Sequence, residues 1–145
     1  MKITDTLLDS LISRAKASPR LRMNFDLRTS PDDTSQRMLN ALLPGTQIPI
    51  HRHPKSTEVV VILRGKGVQY YYDDAGNVTD EILLEAPLLG DGSLRAGGLT
   101  PGSCTMMSVE AGQWHSLKAL EPGTVIFESK DGAYEPTRPE DLLNL

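Results

Sequence analysis

Cysteine is nearly missing from this 145-residue chain: Cys104 stands alone, so no intrachain disulfide can staple the fold. Long apolar runs are missing as well, which leaves no stretch able to cross a bilayer as a helix. Positive charge is in deficit, with a formal net charge of −4. There is no basic stripe and no helix-turn-helix pattern, so nucleic acid is not an expected partner. The opening stretch MKITDTLLDSLISRAK lacks an unbroken apolar core and carries Asp5 and Asp9. It reads as a poor signal peptide, and with the single thiol it sets the expectation of a cytoplasmic protein without membrane contact. What remains is ordinary globular composition, 39% apolar and 23% charged, in a length that suits one domain around one core.

Residues 4–17 carry Leu7, Leu8, Leu11 and Ile12 at helical spacing, with Thr4 or Asp5 as N-cap and Pro19 as the stop. After that the texture is that of strands. LRMNFDL alternates and SPDD is a turn; SQRMLNALL fits a helix or a strand by periodicity, and the closing Pro44-Gly45 with the short extended segments that follow favours a strand. TEVVVIL and GVQYYYDD are rich in β-formers, and DDAGN turns the chain into a returning strand, VTDEILL. Residues 85–102 are glycine- and proline-rich and read as a long loop of the kind that is often functional. Strands resume at SCTMMSV, QWHSLKA and TVIFESK, before a proline-broken tail that lies over the body. Many short strands with Gly and Pro turns predict an all-β sandwich or barrel carrying one added N-terminal α-helix.

The chain has only three histidines, and two of them, His51 and His53, are one residue apart. On a strand this spacing points both rings to one face. Glu58 follows on the next strand, sharing a face with Val60 and Ile62, where a lone carboxylate is costly to bury unless it is paired or bound to a metal. If QWHSLKA is a strand, His115 shares a face with Gln113 and Leu117 and could complete a set of three imidazoles and one carboxylate. Such donors suit zinc, iron, manganese or nickel. Read singly, each of these residues is as well explained by surface or packing roles; the combination carries the argument.

Gly45, His51, His53, Glu58 and Gly65 spell G-x5-H-x-H-x4-E-x6-G, which resembles the first motif of the cupin superfamily. EAGQWH resembles the core of the second, with Gly112 and His115 in place, although Glu110 and Ala119 depart from its usual proline and asparagine. The blocks SPDDTSQRMLNALLPGTQIPIHRH, YYDDAGNVTD, EAGQWH and FESKDGAYEP, in that order, are similar to the WbuC-type cupin-fold metalloproteins over roughly residues 19–138. The resemblance implies a double-stranded β-helix, the cupin jelly-roll barrel. Residues 1–18 would form a helix packed on it, and residues 19–145 a single cupin domain with a C-terminal tail. It further implies one divalent transition metal ion held by His51, His53, Glu58 and His115, a homodimer, and a setting in bacterial surface-polysaccharide (O-antigen) metabolism.

Around such a centre, Glu128 is a candidate acid or base, or else an outward partner of Lys130. Gln36, Arg37, Asn40 and Lys130 are candidate substrate contacts. Arg37 could grip a carboxylate or phosphate bidentately, or simply form a surface salt bridge. Of the tyrosines at 70–72, one face packs between sheets and the other can line a pocket. Two functions follow. One is a metal-dependent enzyme on a small polar, sugar-linked substrate: an isomerase, epimerase or lyase, or an Fe(II) dioxygenase. The other is a non-catalytic metal- or sugar-binding module that regulates a partner enzyme. A general acid or base within reach of the metal discriminates them.

Overall fold

The computed structural model describes residues 1–144; Leu145, the last residue of the expected barrel unit, lies outside the described residues. Helix α1 (Asp5–Ala17) is followed by ten strands: β1 (Arg22–Asp26), β2 (Ser35–Leu42), β3 (Ile50–His51), β4 (Glu58–Arg64), β5 (Lys66–Tyr72), β6 (Val78–Glu85), β7 (Met106–Val109), β8 (Trp114–Ala119), β9 (Thr124–Asp131) and β10 (Leu142–Leu143). They form two five-stranded antiparallel sheets, ordered β1-β2-β9-β4-β7 (sheet A) and β10-β3-β8-β5-β6 (sheet B). This is the jelly-roll expected from the sequence, with its N-terminal helix. None of the helices among the described residues is long and apolar enough to cross a membrane.

Alternation along the strands divides the apolar residues between two cores. Val60 and Ile62 of β4, Ile126 of β9, Leu117 and Ala119 of β8, and Leu84 of β6 meet between the sheets. The opposite face of sheet A presents Leu39, Ala41 and Val125 to Leu8, Leu11, Ile12 and Ala15 of α1. The helix starts where Thr4 Oγ1 accepts from the Leu7 N–H at 3.2 Å. It is tied down by Arg64, which is 1% exposed and donates to Asp9 at 2.7 Å and Asp5 at 2.8 Å. The turn from β4 to β5 needs Gly65: its φ is +84°, and a Cβ there would run into Thr124.

The structure departs from the expected elements in three places. SCTMMSV contributes a strand only from Met106, because Ser103 is still in a turn, its N–H donating to the Thr100 carbonyl. His53 lies beyond the two-residue β3, just before the turn at Pro54 and Lys55, where proline has no N–H to extend a ladder. The tail also gives a strand of its own. After a 3-10 turn at Pro139–Asp141, Leu142 and Leu143 pair with His51 and Ile50.

The long 85–102 segment is anchored by Arg95, which bonds to the Ala86 and Gly65 carbonyls and to Glu121, and by a buried carboxylate. Glu85 is 1% exposed and accepts from the Thr100 N–H at 2.9 Å and the Thr100 hydroxyl at 2.8 Å, with Arg95 and Lys66 each 3.5 Å away. Burial alone would raise its pKa, but the Thr100 bonds, then Arg95 and Lys66, outweigh it, so Glu85 titrates below the ordinary 4.5. A carboxyl depressed in this way stabilises the fold above its unfolded pKa, and that stability is lost as pH falls through the folded value. Glu85→Gln is expected to cost about 1–2 kcal/mol at neutral pH and to flatten the loss of stability below about pH 4.5. Denaturant melts of both proteins across pH 3–7 check this, and parallel pH profiles would contradict it.

Candidate metal centre

His51 and His115 stand directly opposite each other on β3 and β8, so sheet pairing alone brings their rings to a centroid distance of 4.3 Å. His53 joins them from the turn after β3, 5.0 Å from His51 and 5.4 Å from His115. The turn is fixed to the second motif by the Gly112 N–H, which donates to the His53 carbonyl at 2.9 Å. One ligand-capable atom from each of the three histidines falls within 4.8 Å of the others. Glu58 reaches in from the facing sheet. It is 4% exposed, and its Oε2 lies 3.1 Å from His53 Nε2 and 3.7 Å from His115 Nε2.

The outer nitrogens decide what the rings can do. His51 Nδ1 lies 2.9 Å from the Pro49 carbonyl and His115 Nδ1 lies 2.8 Å from the Gln113 carbonyl. A carbonyl only accepts, so each Nδ1 carries the proton and each Nε2 turns its lone pair inward. His53 Nε2 and His115 Nε2 are buried and have no hydrogen-bond partner. Burial, then the neighbouring His115 imidazole, pulls His51 down to about 4, so its ring is neutral at physiological pH, the form that ligates. Buried imidazole lone pairs aimed at one point beside a carboxylate are what a divalent transition ion requires, so the residues present fit such an ion.

Two carboxyls near the cluster are driven apart. Burial disfavours the charge on Glu58, but its closeness to His115 and His53 and the charge of Lys130, 4.0 Å away, hold it well below the usual carboxylate range. Glu128, half-buried on β9, is pushed up to about 8, first by burial and then by the charge of Glu58, to which it is hydrogen-bonded. Asn40 Nδ2 donates to Glu128 Oε2 at 3.0 Å and orients it. One carboxyl is therefore ionised and the other protonated at neutral pH, the division of roles seen where acids and bases work side by side.

The remaining candidates are placed differently. Gln36, Met38 and Asn40 alternate onto the inner face of β2, where Gln36 and Asn40, with Glu128 and Lys130, line a cavity of about 320 Å3. Gln36 also donates to the Gly132 carbonyl at 3.0 Å. The Arg37 guanidinium is engaged within the chain by Asp33 at 2.9 Å and the Leu27 carbonyl at 3.1 Å. Three features went unread in the sequence. Tyr71 pairs directly with His115 and is the tyrosine on the histidine side of β5; alternation isolates it, but nothing says which face is inner. Arg52 packs over Trp114 at 4.4 Å and donates to the buried Asp141 at 2.9 Å, so the tail braces the His-x-His turn through a contact no local pattern reveals. Arg22 and Asn24 lie on β1, whose alternation was visible while its neighbours were not.

Residues 3–84 match a family described as Domain of unknown function (DUF6016). No curated protein matches the chain. Solved cupin structures do. A structure of CapF, a capsular polysaccharide assembling protein from Staphylococcus aureus, aligns at TM-score 0.61 and 19% identity over 88% of this chain and 32% of its own. Oxalate oxidase in complex with the substrate analogue glycolate aligns at 0.58 and 12% identity over 83% of this chain. Oxalate decarboxylase from Bacillus subtilis, a protein with Mn(II) centres, aligns at 0.54 and 16% identity over 86% of this chain and 28% of its own. The chain spans about 55% of the oxalate oxidase. At such identities these likenesses show the cupin fold alone. Together with the histidine cluster they support a metal-binding cupin.

His51→Ala and His115→Ala are each expected to lower the metal bound to purified protein to a small fraction of wild type. Full metal content in both variants by elemental analysis would rule out this ligand set.

Proposed function

We propose that this chain, which belongs to the family described as Domain of unknown function (DUF6016), is a divalent-metal-dependent enzyme acting on a small polar, sugar-linked substrate in bacterial surface-polysaccharide metabolism. The observation that carries this reading is the convergence of three imidazoles, two with unpartnered buried Nε2 atoms, on a buried carboxylate beside a cavity. His51, His53, Glu58 and His115 would hold the ion. When bound, it would supply Lewis acidity toward a carbonyl or hydroxyl oxygen.

The chain's own groups supply the rest. Glu128 presents a carboxyl on the cavity wall, oriented by Asn40 and hydrogen-bonded to Glu58, where it can exchange a proton with a substrate oxygen or carbon. Lys130, on the same strand and inner face, offers a positive charge to a developing oxyanion. Gln36 and Asn40 offer amides to sugar hydroxyls. Because a candidate acid lies beside the cluster instead of pointing away, an enzyme is favoured over a purely regulatory binding module. Isomerisation, epimerisation or lysis suits a proton-transfer carboxyl of this kind. The CapF likeness and the WbuC-type blocks support the polysaccharide setting, and the resemblance of the two motifs to the cupin superfamily supports a homodimer.

A screen of sugar nucleotides and sugar acids by calorimetry, followed by mass spectrometry of the hits for conversion, is the first test. For a converted substrate, Glu128→Gln is expected to keep its metal and to lose activity by on the order of 10²-fold or more. Undiminished turnover in that variant would remove Glu128 from the chemistry.

A further inference from the structure

The cavity beside Glu128 has a wall whose charge the fold does not balance. Met23 and Phe25 of β1 pack into the cluster under α1, so Arg22, Asn24 and Asp26 turn to the inner face of sheet A. Across the sheet, Asp26 pairs with Met38, and Met38 with Glu128, so this wall is continuous with the carboxyl next to Glu58.

Five cations line the cavity. Three are engaged. Arg28 forks onto Asp26 at 2.7 and 3.0 Å, Arg37 pairs with Asp33, and Lys130 faces Glu58. Arg20 and Arg22 differ. Among the described residues neither guanidinium has a carboxylate within 4.0 Å or any hydrogen-bond acceptor, and Arg22 is half-buried. The ionic neighbour felt most by Arg22 is Arg20, a like charge; Glu128 is the acid that acts against it. A half-buried guanidinium at a cavity, with a like charge beside it and no carboxylate in reach, is held there at an electrostatic cost that a bound anion would lower.

We propose that Arg20 and Arg22 form an oxyanion subsite that binds the carboxylate or phosphate of a small substrate whose other end reaches Glu128 and the histidines. The last clause rests on the function proposed above; the subsite itself does not. Guanidinium forks match both planar and tetrahedral oxyanions. A volume of about 320 Å3 is near the lower end for ligand pockets and suits a single sugar ring bearing the charged group.

The test is titration calorimetry on the full chain as purified, with glucose 1-phosphate, glucuronate and glucose as probes. At least one of the two anions is expected to bind, about tenfold or more tighter than glucose; the tighter one identifies the substrate's charged group as phosphate or carboxylate. Arg20→Gln and Arg22→Gln should each weaken that binding about tenfold, the loss of a charge-assisted hydrogen bond, while Arg14→Ala on α1 leaves it unchanged. Arg20 precedes the strand in an exposed turn, so its variant remains informative if Arg22→Gln misfolds in a circular-dichroism melt. Unchanged affinity in the arginine variants, or no binding of either anion at millimolar concentration, overturns the subsite. His51→Ala separates the two ideas: arginine-dependent anion binding that survives loss of metal supports the subsite on its own.

Discussion

A carboxylate inside a protein must meet positive charge or hydrogen-bond donors, or it will pick up a proton or unfold its surroundings. Glu58 sets that condition for this barrel. It sits on the inner face of β4 in line with Val60 and Ile62, which are almost wholly buried, and opposite Val109, which is 1% exposed. The apolar face holds the carboxyl in place and gives it nothing to bond. Lys130, one strand away, supplies positive charge, and His53 Nε2 and His115 Nε2, 3.1 and 3.7 Å from the carboxylate, would share a bound cation with it.

The rest of the architecture serves that meeting. Sheet A carries Glu58 and Glu128, sheet B carries His51 and His115, and the small aliphatic core between them fixes how closely the two approach. The His-x-His turn has little strand to hold it, so other groups do: Gly112 from the second motif, and Arg52 clamped between Trp114 and Asp141. At the opposite end, Arg64 locks α1 onto sheet A and Glu85 gathers the long loop, each by burying one charge against several partners.

Local pattern was enough for much of this. The alternation of TEVVVIL told which face Glu58 shares, and the resemblance of the His51, His53, Glu58, Gly65 and His115 motifs to those of cupins implied a single cluster before any contact was known. Strands such as β5, β6 and β9 followed from β-branched runs and a clear DDAGN turn. What the sequence hid was long-range. β10 is two residues long and exists only because β3 offers it an edge, and Asp141 is buried only because Arg52 reaches it. Arg37, a substrate candidate by charge and position, is met by an aspartate four residues earlier once the turn forms. Arg22 looked like one more residue of an alternating strand, because its significance depends on a cavity shared by three strands and on Arg20 beside it.

Two carboxyls poised at opposite protonation states, three clustered imidazoles, two of them fixed in one tautomeric sense, and a charged cavity make a site that a bound ion would complete. X-ray absorption on protein purified without added metal, at the edge of whichever ion accompanies it, addresses that directly. The account predicts nitrogen and oxygen scatterers at about 2.0–2.2 Å with the multiple-scattering signature of about three imidazoles. Protein that carries no transition metal, or a metal surrounded by sulfur at about 2.3 Å, would contradict it.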